Sequence, residues 1–204
     1  RGFQPDGQPS PAWGAEGSVV CVQPGEQTGL ALVADGVGGA YAAWVDARSG
    51  ARLPYLTHLR GDGLPSPSYW VPQGTRLSND PYQSVHTIAL STEESTAVFV
   101  AWNWTYADAA GVRVQRIRRD GLTTFLDSGV AVGERPVPDT APALLPDGLG
   151  GSFVAWSAGD PESADLRATR VDSTGSFAHY WSYDGVVVSA APGAQILPDR
   201  WSGA

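Results

Sequence analysis

Asp147-Gly148-Leu149-Gly150-Gly151-Ser152-Phe153-Val154-Ala155-Trp156 is a glycine turn feeding a short apolar run, and the rest of the chain is organised around copies of it. The glycines supply the positive backbone dihedrals that a tight hairpin needs. The turn therefore joins the apolar piece Pro142 to Pro146 to a second strand, Ser152 to Ser157. Beyond it, Ala164 to Val171 alternates small or apolar with polar residues, as a strand does when one face is packed and the other is wetter. Asp172-Ser173-Thr174-Gly175 turns the chain again, and Gly185 to Ser189 makes a fourth strand, with Trp181 just upstream as an aromatic wedge. Ala141 to Ser189 thus reads as four antiparallel strands.

The same plan occurs twice more. The first copy has Leu30 to Ala34, the turn Asp35-Gly36-Val37-Gly38-Gly39, the strand Ala40 to Val45, then Leu53 to Arg60 and the turn Gly61-Asp62-Gly63. The second replaces the glycine turn with Thr92-Glu93-Glu94-Ser95 but keeps Ala97 to Trp102, Val112 to Ile117 and the turn Arg119-Asp120-Gly121. An aromatic followed four residues later by glycine sets the beat: Trp13/Gly17, Trp70/Gly74, Phe125/Gly129 and Trp181/Gly185, in steps of 57, 55 and 56 residues. Gly7, Gly63, Gly121 and Gly175 keep the same phase, as do Trp44, Trp102 and Trp156. Such a period means an array of small units, none of which buries its apolar face alone. Four strands per unit with aromatics in phase fit β-propeller blades better than the shorter coils of a β-helix, or a sandwich with no reason to repeat its aromatics in register.

The expected fold is therefore all-β: a propeller-like array of four-stranded blades, about three of them whole, with a partial strand set at each end. The blades are placed at 23–78, 79–133 and 134–190, and the partial sets at 1–22 and 191–204. Ser18 to Val22 is expected as the last strand of one partial blade, and Gln195 to Pro198 as the first of another, ahead of Asp199 to Ala204. This predicts an open arc, a fragment of a longer array, whose unpaired edges favour self-association. Cys21, alone in the chain and set among valines, is expected to be a buried, inert thiol.

The pieces Asp147-Gly148-x-Gly150-Gly151 with Ala155-Trp156, and Asp35-Gly36-x-Gly38-Gly39 with Ala43-Trp44-Val45-Asp46-Ala47-Arg48-Ser49-Gly50, resemble the tandem propeller repeats of large secreted or surface-attached bacterial proteins. In that family a blade reads as a glycine turn, an Ala-Trp strand, an Asp-x-Arg-x-Gly loop, a strand ending in Arg and an apolar residue, and an Asp-x-x-Gly turn. The resemblance covers almost the whole chain. It implies the fold and an extracellular or cell-surface location, but no catalytic residue. Only the first copy keeps Asp46 and Arg48 after its tryptophan. Sialidase-type propellers share the fold class, but their Asp turn closes on an aromatic about four residues after its glycine, whereas Asp35 and Trp44 are nine apart with a strand between.

Composition narrows the function. The formal charge is -8, and all 13 basic residues are Arg, which argues against nucleic acid or an anionic membrane as partner, because phosphate needs a basic patch. The cluster Arg113, Arg116, Arg118 and Arg119 lies on a strand whose alternation divides it between two faces. No apolar run approaches the roughly 20 residues of a membrane-spanning helix. His58, His86 and His179 lack zinc spacing, and Asp160, Glu162 and Asp165 lack the calcium-loop pattern. No cofactor is implied. Arg60-Gly61-Asp62 matches an adhesive tripeptide, but the repeat's own turn chemistry accounts for it, and Asn103-Trp104-Thr105 fits a glycosylation acceptor.

What remains is the set of loops after Trp44, Trp102 and Trp156, where the copies differ most; loops on a rigid scaffold are where binding concentrates. The candidates there are Asp46 and Arg48, then Trp104, Tyr106 and Asp108, then Asp160 and Glu162. Trp104, Tyr106 and Asp108 combine aromatics with a carboxylate, suited to stacking on a sugar or anchoring a protein. The expectation is a noncatalytic binding or scaffold module for a carbohydrate or protein partner. The alternatives are part of a propeller-fold glycan hydrolase, or a structural spacer.

Overall fold

A computed structural model describes residues 2–4, 6–11, 13, 16–67, 70–93 and 96–197. They form three four-stranded antiparallel sheets in an all-β, propeller-like array. The first sheet is β1 (Gln27–Ala34), β2 (Ala40–Asp46), β3 (Leu53–Leu59) and β4 (Thr75–Arg76). The second is β5 (Ser84–Glu93), β6 (Ala97–Tyr106), β7 (Ala109–Arg118) and β8 (Val130–Glu134), and the third is β9 (Ala143–Pro146), β10 (Ser152–Ala158), β11 (Asp165–Val171) and β12 (Val186–Ser189). In each, strands adjacent in sequence are adjacent in space.

The registers align the copies. Trp44 faces Tyr55, Trp102 faces Arg113, and Trp156 faces Arg167 across their ladders. Each second strand therefore has one face carrying its tryptophan and another carrying Tyr41 and Ala43, Phe99 and Ala101, or Phe153 and Ala155. These faces pack in sequence. Tyr41, Ala43, Val45 and Leu56 of the first sheet meet Val98, Val100 and Trp102 of the second. Phe99, Ala101, Val112 and Val114 of the second sheet meet Val154 and Trp156 of the third. No sheet of this width could bury both faces alone, so neighbouring sheets stabilise each other.

The aromatic-glycine pair is the joint of the array. The indole of Trp70 donates to the Arg119 carbonyl (3.1 Å), in the last turn of the following sheet, and Trp13 does the same to Gly61 (3.1 Å). Four residues on, Gly74 lies against the Trp44 ring, where an added Cβ would fall 2.4 Å from the indole, and its φ of +99° is itself a glycine conformation. Gly129 against Trp102 and Gly185 against Trp156 repeat the contact. One motif thus wedges two sheets together and seats the tryptophan of its own.

Several expectations need correction. Ser18 to Val22 forms no strand; Val20 and Cys21 instead pack on Trp44, Leu53 and Tyr55. Cys21 is only partly buried, and its sulfur accepts from Arg48 (3.1 Å). Residues 195–197 form no strand either, and Pro198 to Ala204, like Glu94 and Ser95 in the second copy's turn, lie outside the described residues. β6 continues four residues past Trp102, so Trp104 and Tyr106 belong to a strand and the β6–β7 connection is only Ala107 and Asp108.

Candidate functional site

Most of the conspicuous polar residues hold the blades together. An acid from the first hairpin turn bonds a basic side chain on the third strand, and that side chain covers an aromatic on the second. The trio is Asp35, His58 and Tyr41 in the first sheet (Oδ2 to Nε2 2.8 Å; stacked rings 4.5 Å apart). It is Glu93, Arg116 and Phe99 in the second (2.9 Å and 5.9 Å), and Asp147, Arg170 and Phe153 in the third (2.7 Å and 5.7 Å). Burial by itself would raise the Asp35 and Asp147 carboxyls. The amides of Val37 and Gly39 with the His58 hydrogen bond, or of Leu149 and Gly151 with the Arg170 hydrogen bond, outweigh it and lower both. The lost glycine turn of the second copy is thus compensated by Glu93 taking the place of aspartate.

Asp46 and Arg48 are brought together, but inward. Asp46 is buried and accepts from the Trp44 indole (2.8 Å) and from Arg48 (2.6 Å). Burial pushes its carboxyl up, yet the Arg48 and Trp44 hydrogen bonds prevail and set it at about 2. Arg48 also lies over the Tyr55 ring, reaches the Cys21 sulfur (3.1 Å) and donates to the Gln73 carbonyl (2.8 Å). With every charge partnered inside the fold, the pair works as a brace for the β2–β3 loop.

The other sequence motifs resolve similarly. Arg60 and Asp62 of the Arg-Gly-Asp tripeptide pair with each other, as Arg118 and Asp120 do in the same turn of the second sheet. Asn103 is buried and donates its amide to the Thr140 carbonyl (2.8 Å), so the glycosylation acceptor is enclosed. Arg113 lies over Trp104 while Arg116 faces the opposite side, which divides the basic cluster.

At the end of the sheets where β2–β3, β6–β7 and β10–β11 connect, the candidates separate. Trp104 is partly buried against the core between the first and second sheets, and its buried indole N–H has no partner among the described residues. Tyr106 is 52% exposed and pairs with Tyr82, 69% exposed, at 5.5 Å between ring centroids and 47° between planes. Asp108 is exposed at the hairpin tip just after Tyr106. Asp160 and Glu162 are exposed on the β10–β11 loop, where the Asp160 carboxylate caps the Glu162 amide (2.9 Å).

Sequence reasoning missed Tyr82, although an aromatic in the polar stretch Ser78 to Gln83 was a usable signal. It also missed a cleft of about 290 Å³ lined by Glu134, Arg135, Trp156, Asp165, Arg167 and Asp184. Tyr183 donates to Glu134 beside that cleft (3.3 Å), and Arg167 is committed to the Asp184 carbonyl (3.0 Å). Among the described residues no three His, Cys, Asp or Glu side chains are grouped to hold a metal ion, and no helix is long and apolar enough to cross a membrane. No known family model matches the chain, and no curated protein matches it.

Proposed function

We propose that this chain is a noncatalytic binding module, a blade array of the tandem propeller-repeat type acting outside the cell, which presents the loop end of its second sheet to a carbohydrate. The observation that carries the reading is the Tyr82–Tyr106 pair. Two large exposed rings, 5.5 Å apart at a 47° tilt, form an open aromatic corner where the segment before β5 meets the end of β6. A soluble protein gains nothing in stability from displaying them. The C–H face of a pyranose fits against such rings, and the Asp108 carboxylate lies within the same hairpin to accept from sugar hydroxyls. A protein ligand anchored on the same rings is the neighbouring reading.

A glycan array probed with the purified chain, with Tyr82→Ala and with Tyr106→Ala, tests the proposal. Both side chains are exposed, so neither substitution should alter the circular dichroism. Each stacking ring contributes about 1 kcal/mol, so each variant should lose roughly five- to tenfold in retention. Equal retention by all three proteins removes this corner as the site. An array with no retained glycan points instead to the spacer role.

A further inference from the structure

In all three sheets an arginine reaches the same backbone carbonyl, that of the residue just before the glycine of the aromatic-glycine motif. Arg48 donates to the Gln73 carbonyl (2.8 Å), Arg113 to that of Ser128 (3.2 Å) and Arg167 to that of Asp184 (3.0 Å). The buried tryptophan of each second strand, in contrast, meets a different acceptor. In the first sheet Trp44 and Arg48 together hold the Asp46 carboxylate (2.8 and 2.6 Å). In the second, Trp102 donates to the side-chain oxygen of Gln83 (3.3 Å), and Arg113 lies over Trp104. In the third, Trp156 is 2% exposed, yet its indole N–H has no partner among the described residues.

The place of that acceptor is identifiable. Asp46 lies two residues beyond Trp44, and the residue two beyond Trp156 is Ala158, too short to bring a carboxylate. Trp156, Ala158 and Arg167 line the cleft of about 290 Å³, which the end of β8 closes from the second sheet with Glu134 and Arg135. Arg167 faces Trp156 across the β10–β11 ladder, so guanidinium and indole stand side by side. Among the described residues only one nitrogen of that guanidinium is engaged, at the Asp184 carbonyl. The chain continues on the opposite face of the third sheet: Leu197 donates to the Ser157 hydroxyl, and Ser157 alternates away from Trp156. A buried donor without an acceptor is costly. Here the acceptor that the first sheet takes from its own strand has been given up, while the indole and the arginine that clamp it are kept.

We propose that this cleft between the second and third sheets binds a small carboxylate, which Trp156 and Arg167 clamp as Trp44 and Arg48 clamp Asp46. The ligand's carboxylate accepts from the indole N–H and from the remaining nitrogens of Arg167, and Arg135 adds positive charge from the other wall. Asp165, on the same strand face as Arg167, joins Glu134 and Asp184 in lining the rest of the cleft with acceptors. The far end of the ligand must therefore donate, through an ammonium or through hydroxyls. Three acids against two arginines disfavour a polyanion, and the volume suits a molecule the size of an amino acid or a hexuronic acid. This site is separate from the Tyr82–Tyr106 corner and does not depend on it.

The indole N–H resonances of the isotope-labelled intact chain report binding at this atom, the Trp156 peak being the one that Trp156→Phe removes. Glycine and glucuronate, each titrated to about 20 mM, present a carboxylate with an ammonium or with hydroxyls, and glucose presents hydroxyls alone. The expected result is a saturable downfield shift of the Trp156 indole proton with at least one of the two carboxylates, which identifies the donor end, and none with glucose. Ala158→Asp rebuilds the acceptor of the first sheet, so it should shift that proton before any probe is added and weaken binding by about tenfold or more. Arg167→Gln, checked by circular dichroism, should weaken binding by a similar factor without the prior shift. A Trp156 resonance unmoved by both carboxylates would overturn the proposal. So would an equal response to glucose, or full binding by Arg167→Gln, because either would mean that no carboxylate clamp is formed.

Discussion

Replacing Trp70 with alanine should destabilise the array far more than the same change at Trp181, although the two residues hold the same place in the repeat. Trp70 is buried between the first and second sheets, 5.9 Å from the Tyr41 ring and 5.8 Å from His58, and donates to the Arg119 carbonyl. Removing roughly 200 Å² of buried aromatic surface costs about 5 kcal/mol at 25 cal/mol per Å². That is the top of the range observed for large-to-alanine changes in cores, and the lost hydrogen bond adds about 1 kcal/mol. Trp181 packs on Phe153 of one sheet and its indole has no acceptor among the described residues, so about 1–2 kcal/mol is expected there. Trp70→Phe gives an internal calibration, because the second copy uses Phe125 at this place; it should cost about 1–2 kcal/mol through the lost donor and the smaller ring. Urea unfolding followed by far-ultraviolet circular dichroism reads all three at a dilution that keeps the chain monomeric. Equal losses at Trp70 and Trp181, or a loss below about 1 kcal/mol at Trp70, would refute the idea that the repeated aromatic joins one sheet to the next.

Gly74→Ala should cost about 3 kcal/mol or more, since the new Cβ meets the Trp44 ring and φ is +99°. Gly38→Ala, with φ +94° and open space around it, should cost only about 1 kcal/mol in the same urea assay. Asp46 titrates at about 2 in the fold against an ordinary value of 3.8. Its contribution is therefore complete above pH 4 and lost as pH falls through the folded value. Acid unfolding curves should show about 2 kcal/mol more pH-dependent stability between pH 4 and 2 in the parent than in Asp46→Asn. Trp104→Ala, unlike Tyr106→Ala, should lower stability by about 2 kcal/mol or more, because that ring packs on the core between sheets; a thermal melt unchanged from the parent would contradict this placement.

The candidate site was less legible in the sequence than the fold, and the reason lies in how each signal is encoded. Strand, turn and repeat are local: Asp35 and Asp147 cap their own turns within four residues, and β10 and β11 span nearly the residues that their alternation marks. Exposure is not local. Asp46 and Arg48 look available in a loop-like Asp-x-Arg run, yet Trp44, Gln73 and Cys21 close around them from 2 to 27 residues away. Tyr82 and Tyr106 are 24 residues apart and meet only because the start of β5 pairs with the end of β6.

The 56-residue beat, the four strands per unit and the all-β class follow from residues close along the chain, where hydrogen-bonded turns and alternating side chains act over a few positions. Which aromatic becomes a wedge and which ion pair is sealed depend on the order in which sheets stack. Trp70 and Trp181 have the same local sequence role but different surroundings among the described residues: Trp70 is buried in the core between two sheets, and Trp181 packs on Phe153. Burial is a property of that assembled neighbourhood, and only the tertiary structure decides it.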